Sequence, residues 1–181
     1  MNILVVGGEG YIGSVLVKYL LDHKINVTSI DSLIYNQKQN NKTYVSDKNY
    51  KFLNIDIRSK EISNIDFSIY DKIILLAGLV GDPITKKYPH LSNIINEDSI
   101  INLIKSIKKY KEHHIIFIST CSNYGLINED IYASENHVLN PLSLYAKSKV
   151  KIENYLLNNP NINSTILRFA TAFGLSERMR F

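Results

Sequence analysis

The sequence predicts a doubly wound α/β fold, a parallel sheet with helices on both faces. Three observations predict it. Short β-branched runs alternate with longer segments of helical periodicity along all 181 residues. The runs are apolar throughout, as strands buried on both faces are. A glycine cluster stands where the first run gives way to the first helical segment.

Taken in order, Ile3–Val6 reads as a strand and Tyr11–Asp22 as a helix. Val27–Ile30 and Tyr50–Ile55 are the second and third strands, and the polar stretch Tyr35–Asn49 between them is the expected flexible loop. Lys72–Leu76 is the fourth strand, followed by a loop through Pro83 and Pro89. Ser92–Lys109 carries apolar residues at 94, 95, 101, 104 and 107, a broad helical face. Ile115–Ile118 is the fifth strand, and Ser143–Leu157 a helix stopped by Asn158-Asn159-Pro160. Thr165–Phe169 is the sixth strand. No repeat or linker divides the chain, so 1–181 is read as one domain.

Composition narrows the function classes. Hydrophobic residues make up 45% and charged residues 21%, ordinary for a globular protein. Lys and Arg number 21 against 17 Asp and Glu, a net charge of +4. The lysines are scattered and form no stripe with interleaved aromatics, which argues against nucleic acid as a partner. The surplus charge favours anionic ligands. One cysteine, Cys121, excludes an intrachain disulfide and fits a reducing cytosol. The N-terminal apolar run is too short for a signal peptide, and no run approaches a membrane span, so a cytoplasmic protein with no membrane partner is expected. His90, His113, His114 and His137 lack the spacing of metal ligands and are assigned to solvent or loops; no metal is expected.

Gly7-Gly8-Glu9-Gly10-Tyr11-Ile12-Gly13 follows the first strand and opens the first helix. Gly7, Gly10 and Gly13 carry the spacing that allows a tight turn, close backbone approach to a pyrophosphate and close packing of helix on strand. The amide groups of the first helical turn, at Tyr11 and Ile12, then face phosphate oxygens. Asp31 ends the second strand, where an acid can bond the adenosine ribose diol and a 2′-phosphate would be repelled. Ser32-Leu33 supplies no compensating Arg, so NAD is favoured over NADP. Asp56, with Ile57 beside it, has two open readings: an acceptor for the adenine amino group, or a cap for a helix over Ser59–Asn64.

Tyr145 and Lys149 stand at i and i+4, on one face of a helix. A phenol titrates near 10, but a neighbouring ammonium favours the phenolate, which can take the proton of a substrate hydroxyl. The fifth strand runs into Ser119-Thr120-Cys121-Ser122, a hydroxyl-rich end on the edge of the sheet where ligands bind. Thr120 there can bond the reacting oxygen; the alternative for Ser119, Thr120 and Ser122 is satisfaction of loop backbone groups.

Four blocks together resemble the extended short-chain dehydrogenase/reductase family, the nucleotide-sugar epimerases and dehydratases: the glycine loop at 7–13, Ser119–Gly125, Pro141–Lys149, and Leu167-Arg168-Phe169 leading to Phe173-Gly174. The resemblance implies a Rossmann fold, with Thr120, Tyr145 and Lys149 as the catalytic trio. It also implies that Ala77, Gly78, Ser119, Lys149 and Phe169 contact NAD, and that the substrate is a nucleotide sugar. Pairing of two copies through helices 92–109 and 143–157 is implied as well.

Departures from the family refine the expectation. Family dehydratases carry an Asp-Glu pair after the catalytic Thr; here Cys121 and Ser122 stand there, which disfavours dehydration. Strand alternation would turn Cys121 away from the site, and it is read as a buried bystander. Thr171 occupies the place of an Asn that touches the substrate diphosphate in many relatives, and Arg178 opens the segment leading to their substrate region. Relatives continue beyond residue 181, so the chain is expected to lack much of the sugar-nucleotide contact surface. The expected activity is a 4-epimerase-like reaction through a keto intermediate. The alternatives are a one-way reductase or dehydrogenase and a non-catalytic NAD-binding scaffold.

Overall fold

The computed structural model describes residues 1–35, 43–109, 113–128, 130 and 132–178. Six strands, β1 (Asn2–Val6), β2 (Asn26–Asp31), β3 (Tyr50–Asn54), β4 (Lys72–Leu75), β5 (His114–Thr120) and β6 (Ser164–Phe169), form one sheet in the order β3-β2-β1-β4-β5-β6. Every pairing is parallel. The helices are α1 (Tyr11–Asp22), α2 (Asp82–Lys87), α3 (Pro89–Asn93), α4 (Ser99–Ile107) and α5 (Leu144–Leu157).

Alternation along β1 divides the core. Leu4 and Val6 join Ile73, Leu75, Ile115 and Phe117 on the face covered by α4 and α5, where Ile100, Leu103, Ile104, Ile107, Ile152 and Leu156 are buried. Ile3 and Val5 turn to the other face, with Val17, Leu20 and Leu21 of α1. The doubly wound expectation is met. The edge strands β3 and β6 are half-exposed, because each has a neighbour on one side only.

The order reverses at β1, which lies between β2 and β4, and that reversal opens a crevice at the carboxyl ends. Val6 is in register with Ile30 of β2 and Leu75 of β4. Gly7, Asp31 and Leu76 therefore emerge side by side on one edge.

Several boundaries differ from expectation. The segment 92–109 is α3 and α4 joined by a π turn at Ile94–Asp98, which periodicity alone does not reveal. The loop through Pro83 and Pro89 holds α2, and both prolines sit in a first helical turn. Of the stretch 35–49, residues 36–42 lie outside the described residues, but Tyr44 is buried against α1's side of the sheet rather than free in a loop. β5 runs on through Ser119 and Thr120. His113 is no solvent residue: it lies in the connection just before β5 but is buried, with Nδ1 2.7 Å from the Tyr70 carbonyl oxygen. His114 lies on β5 with its ring between Lys72 and Thr165. No helix among the described residues is long and apolar enough to cross a membrane.

Candidate active site

A cavity of about 520 Å³ occupies the crevice. At one end it is built from backbone. Gly7 has φ +87°, and a Cβ there would lie 2.6 Å from the Ala77 nitrogen. A Cβ on Gly13 would lie 2.3 Å from the Gly7 oxygen and 2.7 Å from Gly8 Cα. These glycines let the turn fold under α1 and against the segment after β4. Gly10 caps α1 without a side-chain bond, and the first intrahelical amide bond is Ser14 N–H to the Gly10 carbonyl. The amides of Tyr11, Ile12 and Gly13 precede that bond, where a helix has no acceptor of its own. Such a turn receives anionic oxygens.

Asp31 stands beside it. One carboxylate oxygen accepts from the Glu9 N–H at 3.1 Å and the other from the Leu33 N–H at 2.9 Å. The acid is thus both a turn anchor and a wall of the cavity. Asp56 also lines the cavity but is not a helix cap: Ser59 holds the position before the 3-10 turn Lys60–Asn64, with no side-chain cap bond, and Asp56 accepts from the Arg58 N–H and guanidinium. That guanidinium holds the Asp56 carboxyl below its ordinary range. Ile57 lines the same wall.

The other end is built from side chains. Ser143 caps α5 by accepting the Ala146 N–H at 3.1 Å, which sets Tyr145 and Lys149 on the face toward β5. Lys149 is buried; its Nζ donates to the Ile118 carbonyl at 2.8 Å and lies 4.7 Å from the Phe117 ring centre and 5.6 Å from that of Tyr145. Burial pushes the ammonium down to about 8, opposed by the charge of Glu153. Thr120 ends β5 and accepts the Ser122 N–H at 3.2 Å, capping the 3-10 turn Cys121–Tyr124.

Every residue assigned to the site from sequence lines this one cavity: Gly7, Gly10, Tyr11, Ile12, Gly13, Asp31, Asp56, Ile57, Ala77, Gly78, Ser119, Thr120, Tyr145, Lys149, Phe169, Thr171 and Arg178. Their surroundings differ in detail. The Ser119 side chain is buried and donates to Glu153, so its hydroxyl faces the protein interior. Arg178 lies over the Tyr35 ring, 4.7 Å from its centre, on the strap 174–178 that bonds back to Tyr11 and Ser14. Cys121 is corrected: it is exposed and lines the cavity, because the strand ends at Thr120 and alternation no longer applies beyond it.

Three buried polar residues escape a reading of the sequence. Glu9, inside the glycine loop, accepts from Ser29 Oγ at 2.7 Å and the Tyr50 hydroxyl at 2.8 Å. Asn96, in the π turn, accepts from the Leu79 N–H at 2.7 Å and donates to the Leu79 carbonyl at 2.9 Å, fixing the wall after β4. Glu153 pairs with Arg168 at 2.7 Å behind the Thr120 end. Glu9, an isolated acid inside a glycine run, carries a faint local signal, whereas Asn96 and Glu153 stand among other polar residues and carry none.

Residues 3–181 match the NAD-dependent epimerase/dehydratase family. The chain belongs to that family. It is 33% identical to a putative UDP-glucose 4-epimerase of Methanocaldococcus jannaschii over 95% of this chain and 56% of that protein. Among solved structures it resembles the UDP-glucuronic acid 4-epimerase of Bacillus cereus in complex with UDP-glucuronic acid and NAD, at 28% identity and a TM-score of 0.87 over 98% of this chain and 59% of that one. It also resembles the UDP-glucose 4-epimerase of Thermus thermophilus in complex with NAD, at 28% identity and a TM-score of 0.81 over 93% of this chain and 54% of that one. The chain spans about half the length of these family members.

Proposed function

We propose that this chain carries the NAD site and the proton-transfer side chains of a nucleotide-sugar 4-epimerase. One observation carries the reading: a single cavity joins the glycine turn and Asp31 to Thr120, Tyr145 and Lys149. The residues fit the dinucleotide. The open amides of the first α1 turn suit its pyrophosphate, the Asp31 carboxylate its adenosine ribose, and the Asp56–Ile57 wall its adenine.

Bound NAD supplies a hydride acceptor and, once reduced, a hydride donor. The chain's own residues handle the proton and the orientation. Tyr145, as phenolate, takes the proton of the sugar carbinol, and the Lys149 ammonium beside it favours that phenolate. The Thr120 hydroxyl bonds the reacting oxygen, and Phe169 and Ala77-Gly78 bound the space around it. In the reverse direction Tyr145 returns the proton to the keto oxygen; with the hydride that reduced NAD would supply to the opposite face of the sugar carbon, no net redox change would remain. Cys121 and Ser122 offer no acid–base pair for eliminating water. Thr171 and Arg178 are assigned to the substrate side.

Two copies pairing through helices 92–109 and 143–157 belong to the same proposal, and sedimentation analysis reads it. A cytosolic location is supported by the single thiol standing exposed at the cavity.

Calorimetry with NAD, followed by turnover of UDP-glucose and UDP-glucuronic acid, tests the function. NAD binding and sugar inversion without net NADH are expected. Net NADH formation or consumption would replace the epimerase with a one-way oxidoreductase, and absence of NAD binding would end the reading.

A further inference from the structure

Glu153 lies two helical turns beyond Tyr145 and one beyond Lys149, on the same face of α5, and is fully buried. Its carboxylate gathers three other pieces of the chain. One oxygen accepts from Ser119 Oγ of β5 and from Asn123 Nδ2 at 2.7 Å in the turn that Thr120 caps. The other accepts from Arg168 of β6, at 2.7 Å from Nη2 and 3.1 Å from Nε. Ser119 and Arg168 are register partners across β5 and β6, as are Thr120 and Phe169 one residue on. One side chain from α5 thus spans the two strands just beneath two residues of the site.

Stability does not explain this arrangement. A buried ion pair is often no better for stability than well-packed apolar residues of the same volume. What apolar residues cannot do is fix hydroxyl and amide directions, or supply charge to a buried ammonium. Lys149 has Glu153 as its charged neighbour and the Tyr145 ring 5.6 Å away, both from its own helix, while Arg168 of β6 pairs with Glu153. β5 presents only the Ile118 carbonyl and the Phe117 ring. Glu153 is the negative charge among them that opposes the cost of burying the ammonium.

We propose that Glu153 is a positioning residue of this site. It holds Thr120 and Phe169 in register through Ser119, Asn123 and Arg168, and keeps Lys149 in its charged form beside Tyr145. The inference rests on the proposed roles of Tyr145 and Lys149, but its test does not depend on turnover.

The test is an NMR titration of the 181-residue chain labelled with ¹³Cε-lysine, the Lys149 signal assigned with Lys149→Arg. Glu153→Gln keeps the shape and removes the charge, and the Lys149 midpoint is expected to fall by about one pH unit or more. Glu153→Asp keeps the charge and should restore most of the shift. Arg168→Gln leaves Glu153 without its counter-charge and should raise the midpoint, which keeps the inference testable if Glu153→Gln does not fold. A Lys149 midpoint unchanged in a folded Glu153→Gln or Arg168→Gln variant would overturn it. Calorimetry with NADH on the same samples separates the two levels: a moving midpoint with no NADH binding by the wild type supports the role of Glu153 and removes the cofactor reading instead.

Discussion

The two ends of the cavity achieve precision by different means. At the glycine turn, shape comes from missing side chains: Gly7 and Gly13 leave no room for a Cβ between backbone segments. At the Tyr145 end, shape comes from buried charge: Lys149 bonds a strand carbonyl, and Glu153 ties α5 to β5 and β6. The first end is steric, and its substitutions should damage binding and fold together. The second is electrostatic, and its substitutions should damage chemistry while leaving the fold in place.

The sharpest way to break the contrast is Gly13→Val. Its Cβ would meet backbone of Gly7 and Gly8, which cannot move aside as a side chain can. A stability loss at the upper end of about 1–3 kcal/mol is expected. NAD affinity should fall by about a hundredfold or more, since the first helical turn would shift from the pyrophosphate position. Thermal melting and calorimetry read both losses. A variant that binds NAD normally would show that the glycine turn is not the dinucleotide cradle.

At the opposite end, Tyr145→Phe should lower turnover by ~10²–10⁴-fold. NAD affinity and melting temperature of this chain should stay close to wild type, because the ring and its packing remain. Equal loss of binding and turnover would erase the distinction between the two ends.

Lys149→Met sharpens the electrostatic side through pH. The folded-state value of Lys149 is depressed to about 8 from 10.5. Below the folded value both states carry the proton, and burying the charge costs stability in full. Between the two values the unfolded chain binds the proton and the folded chain does not, so stability rises with pH. Relative to Lys149→Met, the wild type should therefore gain stability across pH 8 to 10.5, by up to about 3 kcal/mol at ~1.4 kcal/mol per pH unit. Denaturant melts of both proteins at several pH values check the slope. A flat difference would mean that Lys149 titrates alike in both states.

Legibility in the sequence follows the same division. Gly7, Gly10 and Gly13, and the pair Tyr145 and Lys149, are local patterns whose spacing carries their geometry, and all line the cavity. The roles of Glu9, Asn96 and Glu153 are not legible because their partners lie far along the chain: Glu9 meets Ser29 and Tyr50, Asn96 meets Leu79, and Glu153 meets Ser119 and Arg168. Cys121 departs from expectation because strand alternation stops at the end of β5, one residue before it. The π turn at Ile94–Asp98 shifts the helical phase within an apolar run, where periodicity cannot register it.

Asp31 lies between the two regimes and gives the smallest expected effect. Its carboxylate is a charged side chain, yet it is held by the backbone amides of Glu9 and Leu33 like part of the glycine turn. Asp31→Asn keeps one carbonyl oxygen as acceptor and removes the charge, so the steric frame should survive. NADH affinity is expected to fall by about tenfold, ~1.4 kcal/mol, as a charged acceptor for the ribose diol is lost. NADPH, whose 2′-phosphate no longer meets a carboxylate, should bind better than it does to the wild type. Fluorescence titration with both reduced dinucleotides gives the ratio directly. A fall in affinity for both in equal measure would assign Asp31 to the turn alone, since loss of loop geometry cannot tell a ribose hydroxyl from a phosphate. A change in the ratio requires the charge itself to face the adenosine ribose.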